Sequence, residues 1–296
     1  MRWILALAAV LGLVGTAGAD EPRKVVVCST TQVADFAREV AGDRCEVKCI
    51  LAPGADPHTY QPTPGDAAMV AKADLCLENG LHLEGKDWMR ELARGAGKPV
   101  VTCTDGVEPL ELEEHGEKVR DPHAWFSPAN AARYVNAIVR GLSAMDPGGK
   151  EGFEARAKLY LLQLKVLDGW IREQVDAVPV AQRVLVTSHD AFNYFCRDYG
   201  FTSRAPVGWS TGSEVGAGMT PERRRQVVDS IRGFGVKAVF VETSVNPRMV
   251  REIAKEAGVR VGGELYSDSM GEEGSAGETY IGMMRENVLT ITGALK

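Results

Sequence analysis

Apolar and polar positions along the chain follow two alternating periods. Short runs rich in Val, Ile and Leu are followed by longer segments in which apolar residues recur every three or four positions, as on one face of a helix. In the first half this order begins with KVVVCST followed by QVADFAREVAG, and it ends with PVVTCT followed by SPANAARYVNAIVRGLSAM. The alternation predicts βαβ units and a mostly parallel sheet flanked by helices.

A second set of strand and helix patterns follows, from RVLVTS to VRVGGELY and a closing helix from about Thr279. Between the two sets, apolar spacing from Phe153 to Val178 predicts one long amphipathic helix. A second apolar set would widen its buried stripe and let it pack against both lobes; this set is Leu161, Leu162, Val166 and Trp170. The sequence therefore predicts an α/β fold of two lobes, each a mostly parallel sheet flanked by helices, joined by one long rigid helix.

The N-terminus has the order of a secretory signal peptide: Arg2, an apolar run, and the small residues that end at Ala19. We expect cleavage after Ala19 and a periplasmic location, with an uncleaved anchor as the alternative. No Cys follows the apolar run directly, which disfavours a lipid anchor. The predicted units are a signal peptide at 1–19, an N-terminal lobe at 20–149, a connecting helix at 150–178 and a C-terminal lobe at 179–296.

Composition narrows the class of protein. The 296 residues are 45% hydrophobic and 25% charged, which suits a globular protein with a sizeable core. The net charge is −6, and acidic and basic residues are interspersed along most of the chain, so no nucleic-acid partner is expected. The six Cys include no C-x-x-C pair and are interpreted as buried thiols, with their disulfide state left open. The acidic segment Glu108–Glu117 is interpreted as a solvated loop, or alternatively as a cation-collecting loop around His115.

Three histidines and one aspartate stand out by their settings. His58 lies in GADPHTYQP after a strand, His123 in DPHAW before a helix, and His189 directly after RVLVTS. Asp268 follows VRVGGELY. Open α/β sheets bind ligands at the carboxyl ends of their strands, and three imidazoles with one carboxylate suit tetrahedral zinc. His82 is expected to be structural or exposed.

The sequence resembles the metal-binding solute-binding proteins of zinc and manganese ABC importers over nearly all of the mature chain. The segments that carry the resemblance are PHTYQP at 57–62, ENGL at 78–81, DPHAW at 121–125, SHDAF at 188–192, FVE at 240–242 and DS at 268–269. The resemblance implies that His58, His123, His189 and Asp268 bind one metal between the lobes. It also implies delivery to an ABC importer permease in the inner membrane, without catalysis; we expect a monomer.

Two departures from the family bear on the metal. Many zinc-specific relatives carry a long His- and acid-rich loop before the second histidine, and this chain has only the short segment around His115. Manganese-specific relatives usually place Glu where this chain has His189. Nitrogen at that position favours Zn²⁺ as the transported ion, while manganese or a dual-metal carrier stays open.

Other residues near these motifs have two interpretations each. Glu242 either orients a ligand or caps the helix that starts near Asn246. The aromatic residues Tyr60, Trp125 and Phe192 either keep the site dry or serve only in packing.

Two rival functions stay open at this point. An exported zinc hydrolase would use the same histidines, although the chain lacks H-E-x-x-H and G-x-S-x-G. An adhesin on the same fold is the second rival, and nothing in the sequence favours it.

Overall fold

The computed structural model describes residues 22–85, 87–114, 117–204, 220–243 and 247–296. The predicted signal peptide and His115 lie outside these residues. Within the described part of the chain, no helix has both the length and the apolar character needed to cross a bilayer.

Four parallel strands form the sheet of the N-terminal lobe in the order β2-β1-β3-β4. They are β1 (Lys24–Cys28), β2 (Cys45–Cys49), β3 (Leu75–Glu78) and β4 (Val100–Thr102). The helices of this lobe are α1 (Thr31–Ala41), α2 (Pro64–Ala71), α3 (Trp88–Gly95) and α4 (Pro128–Met145). Side-chain caps start three of them, because Thr30, Thr63 and Ser127 each accept a hydrogen bond from a backbone N–H of the first turn.

The acidic segment before His123 forms a hairpin. β5 (Glu111–Glu114) and β6 (Glu117–Arg120) pair antiparallel, so the segment predicted as a solvated loop contains a two-stranded hairpin. The strands carry few apolar residues, which removes the alternation by which a half-buried strand is recognised. Cross-strand pairing, including an ion pair of 3.0 Å between Lys118 Nζ and Glu111 Oε2, accompanies the hairpin instead.

The predicted connecting helix is α5 (Lys150–Asp176). Its buried face consists of the predicted residues Phe153, Ala157, Tyr160, Leu164, Leu167, Ile171 and Val175. The second apolar set was wrong in part, since Leu162 and Val166 are 56% and 72% exposed. Leu161 and Trp170 are partly buried against the core. One face of the helix packs against the core of the protein, and Leu162 and Val166 on the other side of the helix face solvent.

The C-terminal lobe contains two parallel strand pairs. β7 (Val184–Val186) pairs with β8 (Thr202–Arg204), β9 (Ala238–Glu242) pairs with β10 (Arg260–Leu265), and β7 lies beside β9. The helices are α6 (Asn193–Tyr199), α7 (Pro221–Phe234), α8 (Pro247–Ala257) and α9 (Tyr280–Leu295). Helix α5 packs against α1 and α4 on the N-terminal side and against α6 and α9 on the C-terminal side.

The largest apolar core runs through both lobes without interruption. It includes Phe36 on α1, Phe192 before α6 and Tyr280 on α9, and the rings of Phe36 and Tyr280 are 4.8 Å apart. The observed architecture has the predicted α/β class, whereas the lobe boundaries at 20–149, 150–178 and 179–296 stay a prediction. All six cysteines are free thiols, and only Cys49 is not fully buried.

Candidate metal centre

His58 lies in the loop between β2 and α2. The carboxylate of Asp56 accepts the backbone N–H of His58 at 2.8 Å and the hydroxyl of Thr59 at 2.8 Å. The indole N–H of Trp88 donates to the carbonyl of Pro57 at 3.1 Å. These bonds hold the backbone of the histidine from both sides.

His123 lies between β6 and α4, and Asp121 fixes its ring. One carboxylate oxygen of Asp121 accepts the backbone N–H of His123 at 2.9 Å and lies 2.8 Å from its Nδ1. Both side chains are buried. Because Nδ1 faces a carboxylate, Nε2 is the nitrogen available to a metal. The carbonyl of Pro122 accepts a further bond of 3.1 Å from Nδ2 of Asn79.

His189 follows β7, and the buried carboxylate of Glu242 at the end of β9 orients it. Oε2 of Glu242 lies 2.6 Å from Nδ1 of His189. Oε1 accepts the backbone N–H of His189 at 3.1 Å, and it accepts the N–H and the hydroxyl of Ser188 at 2.8 and 2.7 Å. The contacts support the orienting interpretation of Glu242; the alternative helix start at Asn246 lies outside the described residues.

Asp268 follows β10 in the C-terminal lobe, but side chains of the N-terminal lobe hold its loop. Gln32 Nε2 donates to the carbonyl of Ser267 at 3.0 Å, and the N–H of Met270 donates to Thr31 Oγ1 at 2.9 Å. The two bonds bracket Asp268. Thr31 also donates to Gln32 Oε1 at 3.1 Å, so the two side chains act as one clamp.

The four predicted residues converge. One potential ligand atom from each of His58, His123, His189 and Asp268 lies within 4.8 Å of all the others. Nε2 of His58 and Nε2 of His123 are 3.3 Å apart, as are Nε2 of His123 and Oδ1 of Asp268. Nε2 of His189 and Oδ2 of Asp268 are also 3.3 Å apart, and His58 Nε2 lies 3.9 Å from Asp268 Oδ1. A tetrahedron with metal–ligand bonds of about 2.0 Å has edges of roughly 3.3 Å, which these distances approach.

The orientation of the polar atoms also fits a cation. Nε2 of His189 and both carboxylate oxygens of Asp268 are buried and, within the described structure, make no well-aligned hydrogen bond. Buried polar atoms normally find such a partner. Nδ1 of His189 and Oε2 of Glu242, 2.6 Å apart, share this property, so it supports a cation site only together with the convergence of the four side chains.

The electrostatics favour protons on two of the imidazoles. Burial by itself would lower the pKa of His123, but the carboxylates of Asp121 and Asp268 outweigh it and raise that pKa to about 9. In the same way Glu242 and Asp268 overcome burial and hold the pKa of His189 well above its usual value. Burial lowers the pKa of His58. A metal ion that enters the centre has to displace the protons that remain.

The same charges act on the aspartate. Burial alone would raise the pKa of Asp268, yet His189 and His123 hold it well below the usual range. The carboxylate is therefore ionised and ready to bind a cation. The side chain of His58 is 22% exposed, whereas those of His123, His189 and Asp268 are at most 7% exposed, so solvent reaches the centre on the His58 side.

The remaining candidates contribute less. Among the predicted aromatic residues, Trp125 packs on His123 with ring centroids 5.4 Å apart, whereas Tyr60 packs on Trp88 and Phe192 on Phe126. His82 has a side chain that is 77% exposed, as expected, and lies 3.6 Å from Asp87. Sequence reasoning missed Asp121, Thr31 and Gln32. The role of Asp121 could have been predicted from the Asp-Pro-His motif, in which the carboxylate contacts the histidine two positions later.

Comparison with known proteins places the chain in a family. The sequence pattern of the family described as "Zinc-uptake complex component A periplasmic" matches residues 26–294. The chain belongs to this family. This confirms the resemblance inferred from the motifs.

Relatives in the family are described by different metals. The chain is 39% identical over 279 residues to the manganese-binding lipoprotein MntA of Bacillus subtilis, covering 92% of this chain and 89% of that protein. It is 36% identical to the iron-binding protein YfeA of Yersinia pestis, covering 92% of this chain and 86% of that protein. Family membership therefore does not identify the metal.

Solved structures agree with the fold. The periplasmic zinc-binding protein TroA of Treponema pallidum is similar with a TM-score of 0.84 and 34% identity, over 93% of this chain and 99% of that chain. A manganese-bound periplasmic metal-binding protein of Candidatus Liberibacter asiaticus has a TM-score of 0.80 and 29% identity, over 93% of this chain and 100% of that chain. The two-lobed α/β fold predicted from the sequence is confirmed.

Proposed function

We propose that this chain is the substrate-binding component of an ABC importer and carries one divalent transition metal between its two lobes. The supporting observation is the buried set of three imidazole nitrogens and one carboxylate within 4.8 Å of one another. Four protein ligands fill a tetrahedral shell. A catalytic zinc site, by contrast, normally keeps three protein ligands and one position for water, so the arrangement favours transport over hydrolysis.

We propose Zn²⁺ as the principal cargo, with Mn²⁺ or both metals as the alternative. Three of the four donors are nitrogen, and distances of 3.3 Å between neighbouring donors suit a tetrahedral ion with short bonds. Manganese prefers more oxygen ligands. The alternative is supported by the relatives named for manganese.

The cycle consists of capture, shielding and release, with no covalent step. The metal enters past the partly exposed side chain of His58, displaces protons from the imidazoles and becomes enclosed by the buried side chains of the other three ligands. The shared core and the continuous helix α5 favour small movements of the lobes. Release then takes place at the permease in the inner membrane.

We propose that the protein is exported, that a signal peptide is cleaved after Ala19, and that the mature chain is a periplasmic monomer. Several relatives are named lipoproteins. The first cysteine of this chain is Cys28, which is fully buried at the end of β1 and so is not suited to carry a lipid. Mass spectrometry of the exported protein tests the cleavage site and the absence of a lipid.

The function is tested by metal analysis and thermal unfolding of the wild type and of His189→Ala. A metal that binds only the folded state adds about 2.7 kcal/mol at one hundred times its dissociation constant. We expect one zinc ion per wild-type chain and loss of most of this stabilisation in the variant. Equal stabilisation of both proteins, or zinc-dependent ester or peptide hydrolysis by the wild type, would contradict the proposal.

A further inference from the structure

The three histidines of the centre are supported in different ways. Nδ1 of His123 lies 2.8 Å from Asp121, and Nδ1 of His189 lies 2.6 Å from Glu242. In the part of the chain that the structure describes, no carboxylate bonds to Nδ1 of His58. Outside the centre, the contacts that hold His58 are made to its backbone, at its N–H and at its carbonyl oxygen.

The segment that touches this backbone is the loop between β3 and α3. Its residues include Leu81, His82 and Asp87, with φ of 53°, 63° and 56°. They are the only non-glycine residues with positive φ among those described. The left-handed region is unfavourable for residues with a Cβ, and such conformations persist only where surrounding contacts impose them.

Glu84 holds the start of this loop in place. Its side chain is buried, and Oε1 accepts the hydroxyl of Ser29 at 2.7 Å and the N–H of Asn79 at 2.6 Å. Oε2 accepts the N–H of Gly80 at 3.0 Å. One carboxylate thus ties the start of the loop to the end of β1 and fixes the turn that follows β3.

The loop then meets His58 directly at Gly85. A Cβ added to Gly85 would lie 2.5 Å from the carbonyl oxygen of His58 and 3.4 Å from its carbonyl carbon. Atoms do not approach a Cβ so closely, so any larger residue would push the His58 backbone away. Gly85 also has a φ of 52°, which glycine adopts without strain. The indole of Trp88, at the start of α3, completes the support by binding Pro57.

We propose that Gly85 is a positioning residue for His58, and that Glu84 anchors the loop that carries it. The inference rests on the proposed function, because it assigns the loop the task of holding one metal ligand in place. It gives Asn79 and Gly80, whose backbone N–H groups donate to Glu84, a role that the ligand set alone leaves unexplained. The loop replaces, for His58, the orienting carboxylates that serve the other two histidines.

The test compares Gly85→Ala with Gly97→Ala by zinc competition with a chelating dye and by chemical denaturation. Gly97 has a similar φ of 64°, but among the described residues beyond its chain neighbours no atom lies within 4 Å of the position of an added Cβ. Both variants therefore place an alanine at a left-handed φ, and only the first meets the backbone of His58. We expect Gly85→Ala to weaken zinc binding by about tenfold or more, and Gly97→Ala to bind as the wild type does.

A merely structural role is separated by repeating Gly85→Ala in a His58→Ala background. If Gly85 acts through His58, the substitution has no further effect on zinc affinity there. Equal affinity of Gly85→Ala and Gly97→Ala, or an undiminished effect in the His58→Ala background, would overturn the inference. If Gly85→Ala does not fold, Glu84→Gln is measured in the same two backgrounds with the same criteria. Failure of the wild type to bind zinc would refute zinc as the cargo instead, and failure to bind both zinc and manganese would refute the proposed function.

Discussion

Replacing Glu242 with glutamine tests whether its carboxylate holds His189 in the form that binds metal. Oε2 lies 2.6 Å from Nδ1 of His189, while Oε1 accepts two bonds from Ser188 and one from the backbone of His189. A carboxylate at Nδ1 keeps the proton of the neutral imidazole on that nitrogen. Nε2 then points its lone pair at the centre, 3.3 Å from Asp268.

Glutamine keeps the shape but has only one acceptor oxygen, and the other terminal group is a donor. With the oxygen on Ser188, the NH₂ group faces Nδ1 and favours the tautomer that carries its proton on Nε2. With the amide reversed, the NH₂ group meets the backbone N–H groups of Ser188 and His189. Loss of an orienting partner typically weakens metal binding by about 10- to 100-fold, or about 1.4 to 2.8 kcal/mol.

The assay is zinc competition with a chelating dye at constant pH. The control is Glu78→Gln, which alters another buried carboxylate. Its side-chain partners are Arg90 and Thr102, and neither is a predicted metal ligand. We expect the control to bind zinc within about twofold of the wild type. A Glu242→Gln protein that unfolds cooperatively and binds zinc as tightly as the control would refute the reasoning.

Three further predictions follow from the structure. Thr31→Val should weaken zinc binding, because valine lacks the hydroxyl that accepts the N–H of Met270 beside Asp268, and Thr31→Ser, which keeps a hydroxyl, should bind zinc as the wild type does. Equal zinc affinities of the Val and Ser variants in the dye assay would contradict this. The pKa of His123 is raised from 6.5 to about 9, so the metal-free protein should lose about 3 kcal/mol of stability as the pH rises through that interval. Zinc affinity should increase over the same interval, because fewer protons have to be displaced. Chemical denaturation and zinc titration at several pH values measure the two effects, and profiles that do not change with pH would contradict the assignment. Ile171→Ala, at a fully buried position of α5, should lower the free energy of unfolding in urea by about 2–5 kcal/mol. Val166→Ala, at a position that is 72% exposed, should lower it by less than about 0.5 kcal/mol, and similar losses in the two variants would contradict the observed orientation of the helix.

The fold was predictable because its local signals agree with one another. Three of the four strands of the N-terminal sheet, β1, β3 and β4, are short apolar runs, and Thr30, Thr63 and Ser127 cap the helices that follow. The closing helix begins as expected after Thr279, whose side chain accepts the N–H of Gly282. Periodicity was ambiguous where a helix carries two apolar sets, so the exposure of Leu162 could not be read from spacing.

The four candidate ligands could be predicted from their motifs, but most of their supports could not. Glu242 reaches His189 only because β7 and β9 are neighbours, and the order of the strands in space cannot be predicted from the sequence of either strand. Gln32 reaches Ser267 across 235 positions of sequence. Such contacts depend on tertiary packing, whereas Asp121 and His123 share one short motif and could have been paired.

X-ray absorption at the zinc edge of the zinc-loaded protein tests the central claim most directly. With one zinc ion per chain, we expect four nitrogen or oxygen ligands at about 2.0 to 2.2 Å, together with outer-shell scattering from three imidazole rings. A sulfur ligand at about 2.3 Å, or scattering from fewer than three imidazoles, would contradict a centre formed by His58, His123, His189 and Asp268.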